Sequence, residues 1–239
     1  MGSCTIDPVL EKIIFYDIMK SIRVQKIGFI EKNHQRVIVK DLQTLINCFN
    51  EARKSNLVIY DIESTSLEVD KAIPLCISFT YDYEHTFVVP IYGHMVRDIW
   101  GVDLATVKGM ICDFLTSNTP KGGHNVIAYD NLVLKHYFNI DVNNVVIDTM
   151  FMHHVIDEEQ KHNLEFVASL FHGGTRYKAE LKTHLPKKSK KIPDPNYSYI
   201  PEEILWDYCA DDTERNYFSA RSLRRFAMRD ETEQVHDNI

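Results

Sequence analysis

The stretch LVIYDIESTSL, residues 57–67, sets an aspartate and a glutamate two positions apart at the end of an apolar run. Four consecutive apolar residues running into polar ones read as a central β-strand. Side chains on a strand alternate between faces, so Asp61 and Glu63 share one face while Ile62 points to the other. Two carboxylates held that close repel unless a proton or a cation bridges them. A divalent ion such as Mg²⁺, which prefers carboxylate oxygen, removes the conflict. A strand end leaving for solvent through an acidic turn has the same spelling, and the pair alone does not decide between the two.

Outward from this strand the chain alternates. Residues 36–40 (RVIVK) and 26–30 read as strands, and Asp41 is placed to cap a helix reaching about residue 54. Residues 74–80 (PLCISFT) and 85–90 (HTFVVP) read as two strands joined by a Tyr/Asp turn. Helices are expected at 103–117, 128–138, from Asp148 to Ile156, and from Asn163 to Phe171, with a short strand leading to Gly122 and Gly123. Residues 173–199 read as a long loop. A final long helix starts near Pro201, which suits a first helical position, with Glu202 and Glu203 in its first turn. Residues 7–22 carry helical apolar spacing, so 1–25 reads as an N-terminal helix or arm, and 231–239 as a polar tail. Strands first, then helices and strands in alternation, indicate an α/β fold with a mixed β-sheet flanked by helices.

The composition sets bounds. The 239 residues are 44% apolar and 26% charged, as in a soluble globular protein. No apolar run nears the ~20 residues that cross a bilayer, and no signal peptide stands at the N-terminus, so no membrane partner is expected. Cys4, Cys48, Cys76, Cys112 and Cys209 are odd in number and widely spaced, which reads as reduced thiols in an intracellular, reducing compartment. A net charge of −7 speaks against a general nucleic-acid coat but not against a nucleic-acid enzyme whose acids hold metal ions.

Two further stretches bear on the acids. In GGHNVIAYDNLVLKHYF, residues 122–138, Asp130 opens a helix whose Leu132, Leu134, Tyr137 and Phe138 are expected to dock on the sheet. An acid there also complements the helix dipole. In LWDYCADDTERNYF, residues 205–218, Tyr208 and Asp212 are four apart and share a helical face. Leu205, Cys209, Ala220 and Leu223 form a buried stripe with Asp212 at its border, while Asp211, about 100° round the helix, reads as solvated.

An acid pair on a strand, an acid opening a helix and a YxxxD on a late helix, in that order, resemble the DEDD superfamily of 3′–5′ exonucleases in its tyrosine-bearing branch. YDIESTSL, IDTMFMHHVIDEEQKHNLEFVASLF (147–171) and YCADDTERNYFSARSL are similar to the proofreading exonuclease domain of A-family, polymerase I-type DNA polymerases, over about residues 36–226. The resemblance implies a ribonuclease-H-like fold over residues 26–230 and hydrolysis of phosphodiester bonds at DNA 3′ ends with two Mg²⁺ or Mn²⁺ ions. Asp61, Glu63, Asp130 and Asp212 match the four metal-holding acids. By that match Asp61 serves both ions, Glu63 and Asp212 the ion that activates water, and Asp130 chiefly the second, with Tyr208 holding the attacking water. Leu67 matches a position that wedges between terminal bases, or is an exposed loop leucine. His124 and Asn125 contact the terminal sugar or a phosphate, or form a satisfied turn. The family spaces the second-motif asparagine and aspartate four apart, whereas Asn125 and Asp130 are five apart.

The implied partners are single-stranded or frayed DNA 3′ ends and a DNA polymerase, in the same chain or another. No polymerase region follows, so either an excised proofreading domain or a free-standing nuclease is expected. An RNA-processing or Werner-type exonuclease shares these acids, and a non-catalytic nucleic-acid-binding scaffold is the alternative from another class. Lys187, Lys188, Lys190 and Lys191, with Lys178 and Lys182, either track phosphates or form a solvated loop. His153, His154 and His162 lack acid or thiol partners at zinc spacing and read as structural or surface groups. Asp148 fits a helix cap, and Phe79, Phe87, Phe114 and Phe166 fit the core.

Overall fold

The computed structural model describes residues 34–172, 181, 183–190, 192 and 195–236, with His172 and 226–236 as backbone only. The expected N-terminal helix and the strand at 26–30 lie outside the described residues, as do Lys178, Lys182 and Lys191.

Six strands form one sheet in the order β1 (Gln35–Ile38), β4 (His85–Pro90), β3 (Pro74–Thr80), β2 (Val58–Ser64), β7 (Lys121–Gly123), β8 (Val145–Asp148). β2, β3 and β4 are antiparallel neighbours, whereas β1 runs parallel to β4, β7 to β2 and β8 to β7. This is the mixed, helix-flanked sheet of the ribonuclease-H-like fold. A two-stranded ribbon of β5 (Tyr92–Gly93) and β6 (Arg97–Asp98) stands apart.

The two sheet faces are sorted by the period of two. Val58, Tyr60 and Ile62 of β2, with Ile77 and Phe79 of β3, join one apolar cluster with α1 (Leu42–Ala52) and α2 (Leu104–Thr116). At its centre Phe49 stacks on Phe114 at 4.6 Å and meets Phe79 and Phe87 edge-on, both at 5.5 Å. Such aromatic contacts add to the stabilisation from area burial alone. Asp41 caps α1 as expected, its carboxylate accepting from the Thr44 N–H at 2.8 Å. On the opposite face lies α6 (Glu202–His236), with Leu205, Cys209, Ala220 and Leu223 all buried. The Ser78 hydroxyl of β3 donates to the Cys209 carbonyl at 2.7 Å and pins α6 to the sheet centre. Arg36 of β1 holds α6 from the side, donating to Glu214 at 2.6 and 2.7 Å and to Asp211 at 2.8 Å.

Several expectations change. Pro201 sits just before α6, its carbonyl accepting the first helical hydrogen bond from Leu205 at 3.0 Å. Asp211 is half-buried and paired with Arg36 and Arg215 rather than solvated. In α3 (Asp130–Phe138) the inward residues are Asp130, Val133 and Leu134, and Leu132 is exposed. The reason is register: with Asp130 facing inward, the buried stripe falls three and four positions later. Phe166, on α5 (Leu164–His172), is half-buried against His153 rather than in the core. The backbone of 231–236 continues α6. Among the described residues no helix is long and apolar enough to cross a membrane.

Candidate active site

Three elements converge on the centre of the sheet. β2 carries Asp61 and Glu63 opposite Ser78 and Cys76 of β3, and the register shifts directly after Glu63, where Ser64 pairs with Pro74. A bulge of that kind re-aims the strand beside a site. α3 begins at Asp130, which is buried and accepts from the Ile62 backbone N–H at 3.0 Å. α6 brings Tyr208, Cys209 and Asp212 over the face that Asp61 and Glu63 share, and all three are buried. One carboxylate oxygen of Asp61, one of Glu63 and the Cys209 sulfur lie within 4.8 Å of one another.

The electrostatics follow from this crowding. Burial first, then the neighbouring acidic groups Asp61, Cys209, Asp212 and Asp130, push the Glu63 carboxyl well above the usual carboxylate range. Burial raises Asp130 to about 7, against the opposing pull of the Ile62 N–H, with Asp148 and Asp212 adding to the rise. Every neighbour charge named here has the sign that divalent cations neutralise. Glu63, Asp130 and Asp212 are buried and Asp61 stands beside Glu63, carboxylate oxygens of the kind that Mg²⁺ or Mn²⁺ prefers. Cys209 offers a further ligand atom beside Asp61 and Glu63. Its thiol, held far above its ordinary range by burial first and then by Cys76 and Asp61, reaches towards the Asp61 carbonyl at 3.7 Å and the Ser78 oxygen at 3.2 Å.

The residues expected to touch substrate are held by contacts of their own. Leu67 is 89% exposed on a loop tied to α3, where the Tyr129 hydroxyl donates to the Ser66 carbonyl at 2.5 Å. His124 is fixed to α4 (Thr149–Ile156) by a 2.9 Å contact of its Nδ1 with the Thr149 hydroxyl, which donates onward to Asn216 of α6 at 2.7 Å. Asn125 has a left-handed φ of 62°, a conformation asparagine tolerates better than most side chains. It follows Gly123, where a Cβ would stand 2.8 Å from the Tyr60 carbonyl, so only glycine lets β7 lie this close to β2. The Asp148 carboxylate accepts from the N–H groups of Asn125 and Ile127 at 2.9 and 3.2 Å and of Met150 and Phe151 at 3.0 and 3.3 Å. It is the cap that sequence suggested, and it also shapes the turn before Asp130. Lys187, Lys188 and Lys190 are exposed. His153, His154 and His162 find partners in each other, with ring nitrogens 2.8 and 3.0 Å apart.

Two features were not legible. Cys209 read only as a member of a buried stripe. Tyr197, within the segment read as a loop, lies on a 3₁₀ turn (Tyr197–Tyr199) with its ring edge-on to that of Tyr208, centroids 6.4 Å apart, and burial, with the charges of Glu63, Asp212 and Asp61 adding to it, raises its phenol to about 12. A cleft of about 300 Å³ is lined by Tyr208 together with Arg36, Leu181, His184, Ile204, Asp207 and Asp211.

Comparisons with known proteins agree with the geometry. Residues 36–217 match the family described as 3′–5′ exonuclease. No curated protein sequence matches the chain. Among solved structures the chain is similar to Brucella melitensis NrnC with bound Mg²⁺, at 17% identity over 83% of each chain and a TM-score of 0.52. It is also similar to Trypanosoma brucei RNase D in complex with RNA, at 14% identity over 80% of this chain and 62% of that one, TM-score 0.60. Escherichia coli RNase D, an exoribonuclease, matches at 13% identity over 77% and 42%, TM-score 0.50.

Proposed function

The chain belongs to the 3′–5′ exonuclease family of the DEDD superfamily, and from that membership we propose that it shortens single-stranded nucleic acid from the 3′ end with two divalent metal ions. The observation that carries the reading is the approach of an Asp61 and a Glu63 carboxylate oxygen to within 4.8 Å of each other, with Asp130 and Asp212 near enough for their charges to act on the buried Glu63. Asp61, Glu63, Asp130 and Asp212 would hold the Mg²⁺ or Mn²⁺ ions, which supply Lewis acidity at the reacting phosphate and a lowered pKa for the attacking water.

The chain's own residues do the positioning. Tyr208 sits four residues before Asp212 on the same helical face and orients the attacking water by its hydroxyl. The Ile62 N–H fixes Asp130 so that its carboxylate meets the other acids without a rearrangement. Leu67, 89% exposed, would part the last base from its neighbour, and single-strand channels rely on stacking and backbone charge. His124 and Asn125 line the approach to Asp130 and contact the terminal nucleotide.

For the sugar, the wording of the three motifs favours DNA 3′ ends and proofreading for a polymerase. A second reading, trimming of RNA, is favoured by the fold likeness to RNase D and NrnC. Incubation with Mg²⁺ or Mn²⁺ and 5′-labelled single-stranded DNA or RNA tests both. Stepwise shortening is expected, absent with Asp61→Ala, and the faster substrate assigns the sugar. Binding without shortening would support the scaffold alternative and remove the enzymatic reading.

A further inference from the structure

We propose that Cys209 is a ligand of this site, which therefore takes a sulfur-seeking divalent cation of the zinc class in preference to Mg²⁺. The inference deepens the metal-dependent reading by naming the class of ion. The Cys209 sulfur of α6 and one oxygen each of Asp61 and Glu63 of β2 lie within 4.8 Å of one another. Around a tetrahedral Zn²⁺, with Zn–S of about 2.3 Å and Zn–O of about 2.1 Å, sulfur and oxygen stand ~3.6 Å apart, so closing the site needs a shift of about an ångström. Three protein ligands leave the fourth position open for water or a phosphate oxygen.

Two observations separate this cluster from an ordinary group of acids. Glu63 is only 6% exposed, and among the described residues no hydrogen bond reaches its carboxylate. A buried carboxylate without a donor is costly until a cation meets it. Cys209 is fully buried, and its sulfur lies 3.7 Å from the Asp61 carbonyl, so it stands over the strand that carries both acids. The backbone behind it is fixed, because the Ser78 hydroxyl donates to the Cys209 carbonyl at 2.7 Å. The sulfur is thus held in place before any ion arrives. Mg²⁺ takes oxygen ligands and gains nothing from a thiol. Zn²⁺ and Cd²⁺ bind thiolate and displace its proton. The preference therefore comes from one side chain, and serine in its place would keep the oxygens of the site while removing the sulfur.

The test titrates Cd²⁺ alone, a spectroscopic stand-in for Zn²⁺, into reduced protein. This parent protein carries Cys4→Ser, Cys48→Ser and Cys112→Ser, which removes the thiols away from the site. The readout is the ultraviolet thiolate-to-cadmium charge-transfer band. A saturable band is expected in the parent protein and none in Cys209→Ser. Calorimetry of Cd²⁺ binding in the presence of Mg²⁺ is expected to show an affinity about 100-fold lower in Cys209→Ser, the upper end of what loss of even an outer-shell partner costs. Glu63→Gln keeps every thiol and is expected to weaken the Cd²⁺ affinity about ten-fold or more, which places the ion between the two side chains. No band in the parent, a band that survives Cys209→Ser, or a Cd²⁺ affinity that Glu63→Gln leaves unchanged would overturn the proposal. If Cys209→Ser does not fold, the parent and Glu63→Gln decide alone. None of these readings needs turnover. Shortening of oligonucleotide with Mg²⁺ but no band would overturn this inference and leave the exonuclease reading intact. The band without shortening of any substrate would overturn that reading and leave the ion site standing.

Discussion

The Asp130 carboxylate accepts the backbone N–H of Ile62, 68 positions earlier, at 3.0 Å. Ile62 lies between Asp61 and Glu63, so this one bond locks the start of α3 to the strand that carries the other two acids. The bond needs an oxygen but no charge, whereas a metal site needs the charge. Asp130→Asn is therefore expected to keep the fold and lose activity by about 100-fold or more, as removal of a metal ligand costs several kcal/mol at the transition state. Asp130→Ala leaves a buried N–H without its acceptor and is expected to cost about 1–3 kcal/mol of stability as well. Exonuclease rates and urea midpoints, measured side by side, separate the two; equal stability of both variants would sink the structural half.

The same carboxyl makes the metal-free protein sensitive to pH. Its folded pKa is raised to about 7 from an ordinary 3.8, mainly by burial. Between those values the native state keeps a proton that the unfolded chain releases, so stability falls as pH rises. The stabilisation is complete below about 4 and gone once pH passes about 7. In EDTA the wild type should thus lose stability relative to Asp130→Asn from pH 5 to pH 8, and added Mg²⁺ should restore it by binding only the native state. A difference between the two proteins that stays flat across that range rules this out.

How much of this was open to sequence reasoning differs from residue to residue. Strand β2 and the facing of Asp61 and Glu63 follow from alternation alone, and β3 and β4 end where their apolar runs end. The stripe of Leu205, Cys209, Ala220 and Leu223 follows from helical spacing and is buried as expected. Strand β8 was missed because it is four residues long at a sheet edge, with Val146 half exposed, so no clean alternation marks it. Tyr197 was missed for a different reason. A 3₁₀ turn has too few residues for a period, and its neighbourhood to the acids arises from a chain path that no local pattern encodes.

Leu67 offers a test of substrate handling apart from chemistry. It is 89% exposed and contributes almost nothing to the core, yet its loop is tied to α3 through Tyr129 and Ser66. Leu67→Ala should leave the melting temperature within about 1 °C, in keeping with a surface substitution. Its effect should appear on ends that must be separated from a partner strand, with shortening of a frayed duplex slowed about ten-fold and of single strands about two-fold, since base stacking is worth ~1–3 kcal/mol. Equal losses on the two substrates would mean that Leu67 does not act as a wedge.

Asp148 and Asn125 together test whether the turn before α3 is built for shape or for contact. Asp148 accepts four backbone N–H bonds, two from the turn and two from the first turn of α4. Asp148→Ala removes them all and is expected to destabilise the protein by about 2–4 kcal/mol, more than the ~2 kcal/mol upper end of a helix-cap deletion because the turn loses its acceptor as well. Asn125 needs the opposite treatment. Its φ of 62° is one that glycine adopts without strain, so Asn125→Gly should keep or slightly raise stability. If the Asn125 side chain touches the terminal nucleotide, that same variant should raise KM several-fold with Asp148 and the fold intact. A KM equal to wild type in Asn125→Gly would assign the turn to shape alone, and leave His124, held by Thr149, as the residue of the pair that can reach the substrate.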